Sequence, residues 1–478
     1  MRNDYRSTFI ATTLLLIAGC FSLALLGTPA SKAHAQLSSH QQLLREIHKE
    51  LVEINTTDSV GSTTQAAEAM AARLKAAGFP AEDVQVLVPP GNARKGNLVA
   101  RLRGTGKQRP ILLLAHLDVV EARKEDWSPD LDPFKWIERD GFLYGRGSID
   151  DKAMAAIFVS NLIRYKQEGF RPQRDIIVAL TADEEGGSFN GVAWLLKNHR
   201  DLVDAEFGLN EGGGGRERNS KQLFNGVQAS EKISLSFQLE VKNKGGHSSL
   251  PIKDNAIYHL AGGLDRLGKF DFPINLNEVT RAYFERMATV ETGQMASDMK
   301  ALFQPVQDPA AISRLSNTPL YNSMMRTTCV ATRLEGGHAN NALPQTARAV
   351  VNCRILPQES AAEVQQTLVT VLADNQISVK PIGQAKPSPP SPLNAQIMQP
   401  IDSLTKSLWP GVPVIPIMGT GATDSLYFRQ AGIPFYGVSG LFTDIDDNRT
   451  HGRDERIGVK QFYDGQDFLY RLAKMLSS

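Results

Sequence analysis

Along residues 41–77 small apolar side chains recur at helical spacing, and the stretch TQAAEAMAARLKAAG ends on a glycine stop, so this part of the chain reads as helices. VQVLV and NLVARL then read as strands. ILLLAHLDVV, residues 111–120, is an unbroken apolar run, as expected of a parallel strand covered on both faces. Beyond a long loop ending in LYGRGSIDDKA the pattern alternates. AMAAIFVSNLIRYKQEG reads as a helix, DIIVALTADEE as a strand, GVAWLLKNH as a helix, and AEFGLNEGGGG as a strand followed by a glycine loop. This alternation predicts an α/β fold, a mostly parallel central sheet with helices on both faces.

The period changes near Lys232. ISLSFQLEV alternates apolar and polar positions, the mark of a strand with one solvated face. IYHLAGGLDRLG follows as a helix, TTCVATRLEGG and ARAVVNCRILP as a strand pair, AAEVQQTLVTVLAD as a helix and ISVKPIG as a last strand. The order β-α-β-β-α-β predicts a ferredoxin-like α+β unit. Residues 267–325 fall between its first helix and second strand; rich in helix formers and acids, they read as an insertion. After QAKPSPPSP, a Pro/Ser linker by composition, the first pattern resumes with a helix at 397–408 and the strand VPVIPIM. The predicted organisation is a catalytic α/β domain at 36–229 and 388–478, split by a lid-type α+β domain at 230–387.

A chain of 478 residues has room for two such domains. Its 42% hydrophobic content supports a real core, and a net charge of +1 offers no basic field to nucleic acid or an anionic membrane. Residues 1–35 stand apart. Arg2 and Arg6 precede an apolar run, and Ala33-His34-Ala35 follows it, the layout of a secretory signal cleaved after Ala35. The mature protein is therefore expected to be exported, periplasmic or secreted. One competing reading is an uncleaved anchor. The other is a lipoprotein signal with Cys20, disfavoured because the apolar FSLALL follows that cysteine. No later segment is long and apolar enough to span a membrane. Cleavage would leave Cys329 and Cys353, roughly symmetric about the predicted hairpin turn; a disulfide is one reading and two small buried strand residues the other.

Five short stretches put metal-type ligands at predicted strand ends or in adjoining loops, where α/β sheets build their sites. In AHLDVV, His116 and Asp118 are two apart on a strand and share a face. A metal-bound imidazole commonly gives its other N–H to a carboxylate, and Asp118 is placed for that. GRGSIDDKA supplies Asp150 and Asp151 before a helix. TADEEGGS sets Glu184 beside Glu185, a like-charge pair that raises one pKa unless a cation compensates; one could bind metal while the other takes a proton from water. Glu211 ends the strand in GLNEGGGG, where glycine lets backbone approach something closely. His451 lies in the polar loop RTHGRDERI. Singly, each has an ordinary reading: a polar pair, a helix N-cap, a solvated loop, a flexible loop, a surface histidine. Together they suit two Zn²⁺ ions with N and O ligands, which would lower the pKa of a water between them and polarise a carbonyl. Mn²⁺ or Co²⁺ fit the same donors.

The succession HLDVV, YGRGSIDDK, TADEEGGS, LNEGG, GGHSS, GGHANNALP, GTGATD and THGRDERI, spanning residue 40 to the C-terminus, closely resembles the M20 family of co-catalytic zinc peptidases and amidohydrolases. That family includes glutamate carboxypeptidase-like enzymes, aminoacylases and carboxypeptidase S-like proteins. The resemblance implies that His116, Asp150 and Glu211 hold one zinc, and Asp150, Glu185 and His451 the other, with Asp150 shared and the Asp150–Asp151 peptide cis. It makes Glu184 the general base and Asp118 the support of His116. His247 resembles a lid residue that stabilises the oxyanion, in some dimers from the opposite subunit, and Asn341 a lid residue that contacts substrate. Arg354 resembles an arginine that grips the substrate carboxylate, and the loop with Gly419, Gly421 and Thr423 one that offers it backbone N–H groups. Glutamate rather than aspartate at 211 tilts the resemblance towards carboxypeptidases and aminoacylases. A homodimer through the lid is the usual assembly, from which the insertion at 267–325 departs towards the larger carboxypeptidase S-like branch. The implied activity is hydrolysis of an amide bond in a small peptide or N-acyl amino acid with a free α-carboxylate. A dipeptidase or deacylase of the same family is the near alternative, and a metal-dependent binding protein without turnover the non-enzyme one.

Overall fold

The apolar run at 111–120 forms the strand Ile111–His116, all six residues of which are buried. Parallel strands Ile176–Thr181 and Phe207–Asn210 flank it in a ten-stranded sheet. The computed structural model describes residues 37–478; the expected signal segment, with Cys20, lies outside them. No helix among the described residues is long and apolar enough to cross a membrane. Phe435–Gly437 extends the parallel part of the sheet beyond Phe207–Asn210, whereas Asn97–Leu102 and Val84–Leu87 close the other edge antiparallel.

Helices cover both faces, as the alternating pattern predicts. Lys152–Gln167 is apolar on nearly every side and correspondingly buried, packed against the sheet, Ser39–Glu53 and Val459–Ser477. Gly191–Asn198 and Ser425–Gln430 cover the opposite face, Val192, Leu195 and Phe428 joining one core with Phe435 of the sheet. His48 is buried at the first of these contacts. Its Nε2–H donates to Ser148 O at 3.0 Å and its Nδ1 accepts from Trp136 Nε1 at 3.1 Å, which fixes the neutral tautomer.

Ile233–Lys242, Thr346–Ile355, Thr328–Gly336 and Ser378–Ile382 form a second, wholly antiparallel sheet. Helices Ala256–Gly268 and Ala361–Leu372 contribute to one core with it, giving the order β-α-β-β-α-β in sequence. Cys329 and Cys353 face each other across neighbouring strands and are disulfide-bonded.

The segment 267–325 behaves differently from a surface insertion. Its helices Glu278–Met287, Gly293–Ala301, Pro309–Ser316 and Pro319–Met325 bury Phe284, Met299, Leu315 and Met325 in the core of the larger sheet. Arg286 donates to Val414 O at 2.7 Å, fastening them to the strand Val414–Gly419. The chain thus passes between the two sheets four times: at Lys232, around 269–277, at 326–327 and around 383–393. Buried Lys232 links two of these passages, its Nζ donating to Arg326 O at 2.7 Å and to Thr328 Oγ1 at 3.3 Å.

The segment that reads as a linker is fixed in place, and the glycines after Glu211 do approach other groups closely. In the Pro/Ser stretch, buried Ser388 donates to Glu231 Oε1 at 2.9 Å and buried Ser391 to Phe435 O at 2.7 Å. Arg429 completes this knot with a buried ion pair to Glu231 at 2.8 Å. The glycines after Glu211 run into the strand Gly214–Arg218, because a Cβ at Gly213 would lie 1.9 Å from Gly437 O and one at Gly215 2.3 Å from the Phe442 ring.

Burial pushes the His48 pKa down to about 3, so the unfolded chain takes up a proton before the folded one as pH falls below ~6.5. Stability from this group is complete above that pH and lost towards pH 3. We expect wild type to lose about 2 kcal/mol more between pH 7 and pH 5 than His48→Gln does, measured by urea unfolding. Parallel pH profiles for the two proteins would refute this.

Candidate active site

Three parallel strands end at one edge of the large sheet, and each delivers a ligand-type side chain there. His116 ends the first, Glu184 and Glu185 follow Thr181 of the second, and Glu211 follows Asn210 of the third. His116 Nε2 lies 3.0 Å from Asp150 Oδ1 and 3.9 Å from Glu211 Oε1. His451 Nε2 lies 3.1 Å from Asp150 Oδ2 and 2.6 Å from Glu185 Oε1. The side chains form overlapping triplets: His116, Asp150 and Glu211; Asp150, Glu185 and His451; and His116, Glu184 and Glu185. Within each, the candidate ligand atoms lie within 4.8 Å of one another. Asp150 belongs to both of the triplets expected from the sequence. The Asp150–Asp151 peptide is cis, and Asp183 and His451 have left-handed backbone, with φ of 58° and 62°.

The electrostatics describe a site short of positive charge. Burial, and then the charge of Glu211, push the Glu184 carboxyl far above the usual carboxylate range. Burial, and then Asp150, do the same to Glu211. Hydrogen bonds to Asp150 and Glu185 raise His451 to about 10. Burial opposes protonation of His116, yet its bond to Asp150 and the charge of Glu211 bring it well above the ordinary value. Two imidazoles and three carboxylates, His116, His451, Asp150, Glu185 and Glu211, form a set that fits divalent ions accepting N and O donors.

Asp118 departs from expectation. His116 Nδ1 donates to the backbone O of Asp118 at 2.9 Å, while the Asp118 carboxylate lies 3.8 Å away, beyond hydrogen-bond range. The strand stops at His116, so the two-residue alternation that would align the side chains no longer operates. The carboxylate instead accepts the amides of Glu184 at 3.2 Å and Glu185 at 3.0 Å, and so orients the turn that carries both glutamates. Asp151 occupies the N-cap position of the helix Lys152–Gln167 without a side-chain cap bond; it is buried, and its Oδ2 has no partner among the described residues.

Several residues that hold the site gave little sequence signal. Buried Arg146 donates to Glu455 Oε2 at 2.6 Å and to the carbonyls of His451 and Gly452. Glu455 Oε1 accepts the amides of Ile149 and Asp150 at 3.1 and 3.3 Å. Asp183 is ion-paired to Lys95 and accepts the Phe189 amide. Buried Asp424 accepts from Asn190 at 2.7 Å and Thr181 at 3.2 Å, and Asn190 also donates to Asp183 O at 3.0 Å. Charged letters within polar motifs gave no hint of which would be buried.

The remaining predicted residues lie apart from the triplets. His247 and Asn341 are exposed on a small ribbon, Gly246–His247 paired with Ala342–Leu343, and Ser248 donates to Asn341 O at 3.0 Å. Arg354 lies opposite Ser234 and Thr328 in the second sheet. None of the three bonds to the ligand-type cluster among the described residues. In the glycine loop, Thr423 gives both its amide and its hydroxyl to Glu231, at 3.0 and 3.1 Å. Gly419 closes the strand against Glu231, and exposed Gly421 has open space where a side chain would be.

Replacing Arg146 with Met would leave Glu455 charged, buried and unpaired. We expect a stability loss of about 3–5 kcal/mol in denaturant unfolding. A loss below ~1 kcal/mol would show that water or another group replaces the guanidinium.

The model of peptidase family M20/M25/M40 matches residues 112–475. N-fatty-acyl-amino acid synthase/hydrolase PM20D1 of Homo sapiens is 31% identical over 379 residues, covering 76% of this chain and 73% of its own. Carboxypeptidase S of Saccharomyces cerevisiae is 25% identical over 408 residues, covering 76% and 70%. In three dimensions the fold is shared with the M20 family metallo-carboxypeptidase Sso-CP2 from Sulfolobus solfataricus, with a TM-score of 0.65 at 18% identity over 92% of this chain and all of that one. Human carnosine dipeptidase 1 gives 0.60 at 14% identity over 92% and 97%. With two thirds and more of each relative's length matched and the fold shared throughout, the chain belongs to peptidase family M20/M25/M40 and is a hydrolase acting on C–N bonds.

Proposed function

We propose that the protein hydrolyses the amide bond of N-acyl amino acids or small peptides that carry a free α-carboxylate, using two divalent ions, Zn²⁺ in the first instance. The observation that carries this reading is the pair of ligand triplets sharing Asp150, with Glu184 beside them and its carboxylate bonded to none of the described residues. The names of the relatives, an N-fatty-acyl-amino acid synthase/hydrolase and a carboxypeptidase, support the substrate class. The layout of residues 1–35 supports export.

His116, Asp150 and Glu211 would hold one ion and Asp150, Glu185 and His451 the other. When bound, such ions acidify a water and polarise a carbonyl. Glu184 takes the proton from the attacking water and returns it to the departing amine, work suited to a carboxylate that is buried and uncommitted. Asp118 keeps Glu184 and Glu185 in register by accepting both of their amides. Arg354 grips the α-carboxylate, aided by the loop at Gly419, Gly421 and Thr423. Since the Thr423 amide is already given to Glu231, that loop acts through its neighbours. His247 and Asn341 meet the substrate from their ribbon, His247 at the developing oxyanion.

Glu184→Ala is expected to retain both metals by elemental analysis while kcat falls about 10²–10⁴-fold. Near-normal turnover in that variant would remove Glu184 from the chemistry. Arg354→Ala should lower kcat/KM about 10–100-fold on carboxylate substrates. An equal loss on the matching carboxamide would contradict its role. Running N-acyl amino acids beside dipeptides, with and without chelator, separates the deacylase from the dipeptidase.

A further inference from the structure

Two cavities meet the ligand cluster and share no lining residue. The larger, about 710 Å³, touches the cluster at Glu184 and runs past Lys232, Ala422 and Thr423. The smaller, about 160 Å³, touches it at Asp150 and Glu211. Met154 and Leu441 give this second cavity an apolar side, and Arg216 and Thr443 a polar one.

Arg216 lies on the strand Gly214–Arg218, level with Thr443 of the neighbouring strand Phe442–Asp444. Its Nη1 donates to Thr443 Oγ1 at 2.7 Å, and it forms no ion pair among the described residues. The buried arginines nearby are matched, Arg146 with Glu455 and Arg429 with Glu231. Burial pushes the Arg216 pKa below its ordinary value, as for a charge drawn out of water without a counter-charge. Such a charge needs an anionic partner, and most of the guanidinium N–H donors are left open to one. Asp150 and Glu211 line the same cavity but stand beyond ion-pair range of Arg216, and in the reading above they are given to the divalent ions. The Thr450 hydroxyl and the Asn448 amide nitrogen, bonded to none of the described residues, add donors to the wall.

Resting on the amide-hydrolase reading above, we propose that the smaller cavity receives the acyl half of the substrate and that Arg216 binds a carboxylate at the far end of that half. With the α-carboxylate directed to Arg354 and the loop at Thr423, the amine half occupies the larger cavity. The other substituent of the carbonyl carbon then faces the smaller one. At ~30 Å³ for each non-hydrogen atom the smaller cavity holds roughly five of them, as many as a –CH₂–CH₂–COO⁻ tail contains. Its methylenes lie against Met154 and Leu441, and its carboxylate takes the open N–H groups of Arg216 in a bidentate bond. The preferred substrates are therefore amino acids acylated by a short chain that ends in a carboxylate. Either a dicarboxylic acyl group or an acidic amino acid residue supplies such a chain.

The test uses the metal-loaded enzyme with N-succinyl-phenylalanine and its terminal carboxamide, N-succinamoyl-phenylalanine. The carboxylate should raise kcat/KM about 10–100-fold. Arg216→Met should bring that ratio within about threefold of unity, with metal content unchanged by elemental analysis. Arg216→Lys keeps the charge without the fork and should retain part of the ratio, which provides a second variant should the first fail to fold. Aspartyl-phenylalanine beside asparaginyl-phenylalanine tells an acidic dipeptide from a dicarboxylic acyl group as the source of the carboxylate. Calorimetric binding of succinate against its monoamide, succinamate, reads the subsite without turnover, and the preference for succinate should vanish in Arg216→Met. If no substrate is cleaved but that preference appears and depends on Arg216, the subsite holds and the amide-hydrolase reading falls. Equal cleavage within each pair overturns the subsite and leaves the hydrolase reading intact. Loss of metal in Arg216→Met, with the same fall on both members of a pair, also overturns it, because Arg216 then serves only as a counter-charge to the ligand cluster. Absence of both turnover and the succinate preference overturns both.

Discussion

The buried ion pair between Arg146 and Glu455 is the constraint on which the site's geometry rests. One carboxylate neutralises the guanidinium and also accepts the amides of Ile149 and Asp150, while the guanidinium holds the carbonyls of His451 and Gly452. Two loops 305–309 residues apart in sequence are thereby set against each other, and Asp150 and His451 come with them. Buried pairs of this kind seldom stabilise a fold on balance. This one acts as a locator, putting side chains from the middle and the end of the chain within a hydrogen bond of each other.

The same division between holding and acting runs through the site. Asp118, Asp183 and Asp424 are as acidic by sequence as Glu184, Glu185 and Glu211, yet each is occupied with backbone amides, Lys95 or Asn190. Spending three carboxylates on positioning leaves the glutamates at the strand ends uncommitted to lysine or arginine. Burial first, and then mutual repulsion, push the carboxyls of Glu184 and Glu211 above the usual carboxylate range. Divalent cations held by these ligand groups would relieve that repulsion.

How much of this was legible depended on whether the physics left a mark in the pattern. The buried parallel strands did, as unbroken apolar runs, and the second sheet did, as the alternation in ISLSFQLEV, whose burial follows the same rhythm. The order of motifs placed His116, Asp150, Glu185, Glu211 and His451, which the fold brings together. The strand Lys221–Glu231 left no such mark, because it buries the polar Asn225, Gln228 and Glu231, with Asn225 Nδ2 donating to Thr405, Gln228 to Glu231, and Glu231 paired with Arg429. A strand that is polar and buried reads like a loop. Ser388 and Ser391 misled in the same way, since nothing in a Pro/Ser stretch distinguishes a solvated hydroxyl from one bonded to Glu231. Asp118 was placed correctly as a neighbour of His116 but with the wrong atom, because the strand ends one residue too early for alternation to orient it.

The second sheet is joined to the first by four chain passages, two of them stitched by Lys232 and another fastened by Ser388 to the Glu231–Arg429 knot. A flap on a single seam swings freely, whereas one sewn at four separated places resists torsion about any axis through two of them. The helices of 278–325, which lie between two of these passages, are part of the same junction. Because Glu231 also holds Thr423, the junction is tied to the loop leading into Asp424 and, through Asn190, to the turn of Glu184. The seam between the sheets and the setting of the Glu184 carboxylate are in this way one property of the chain.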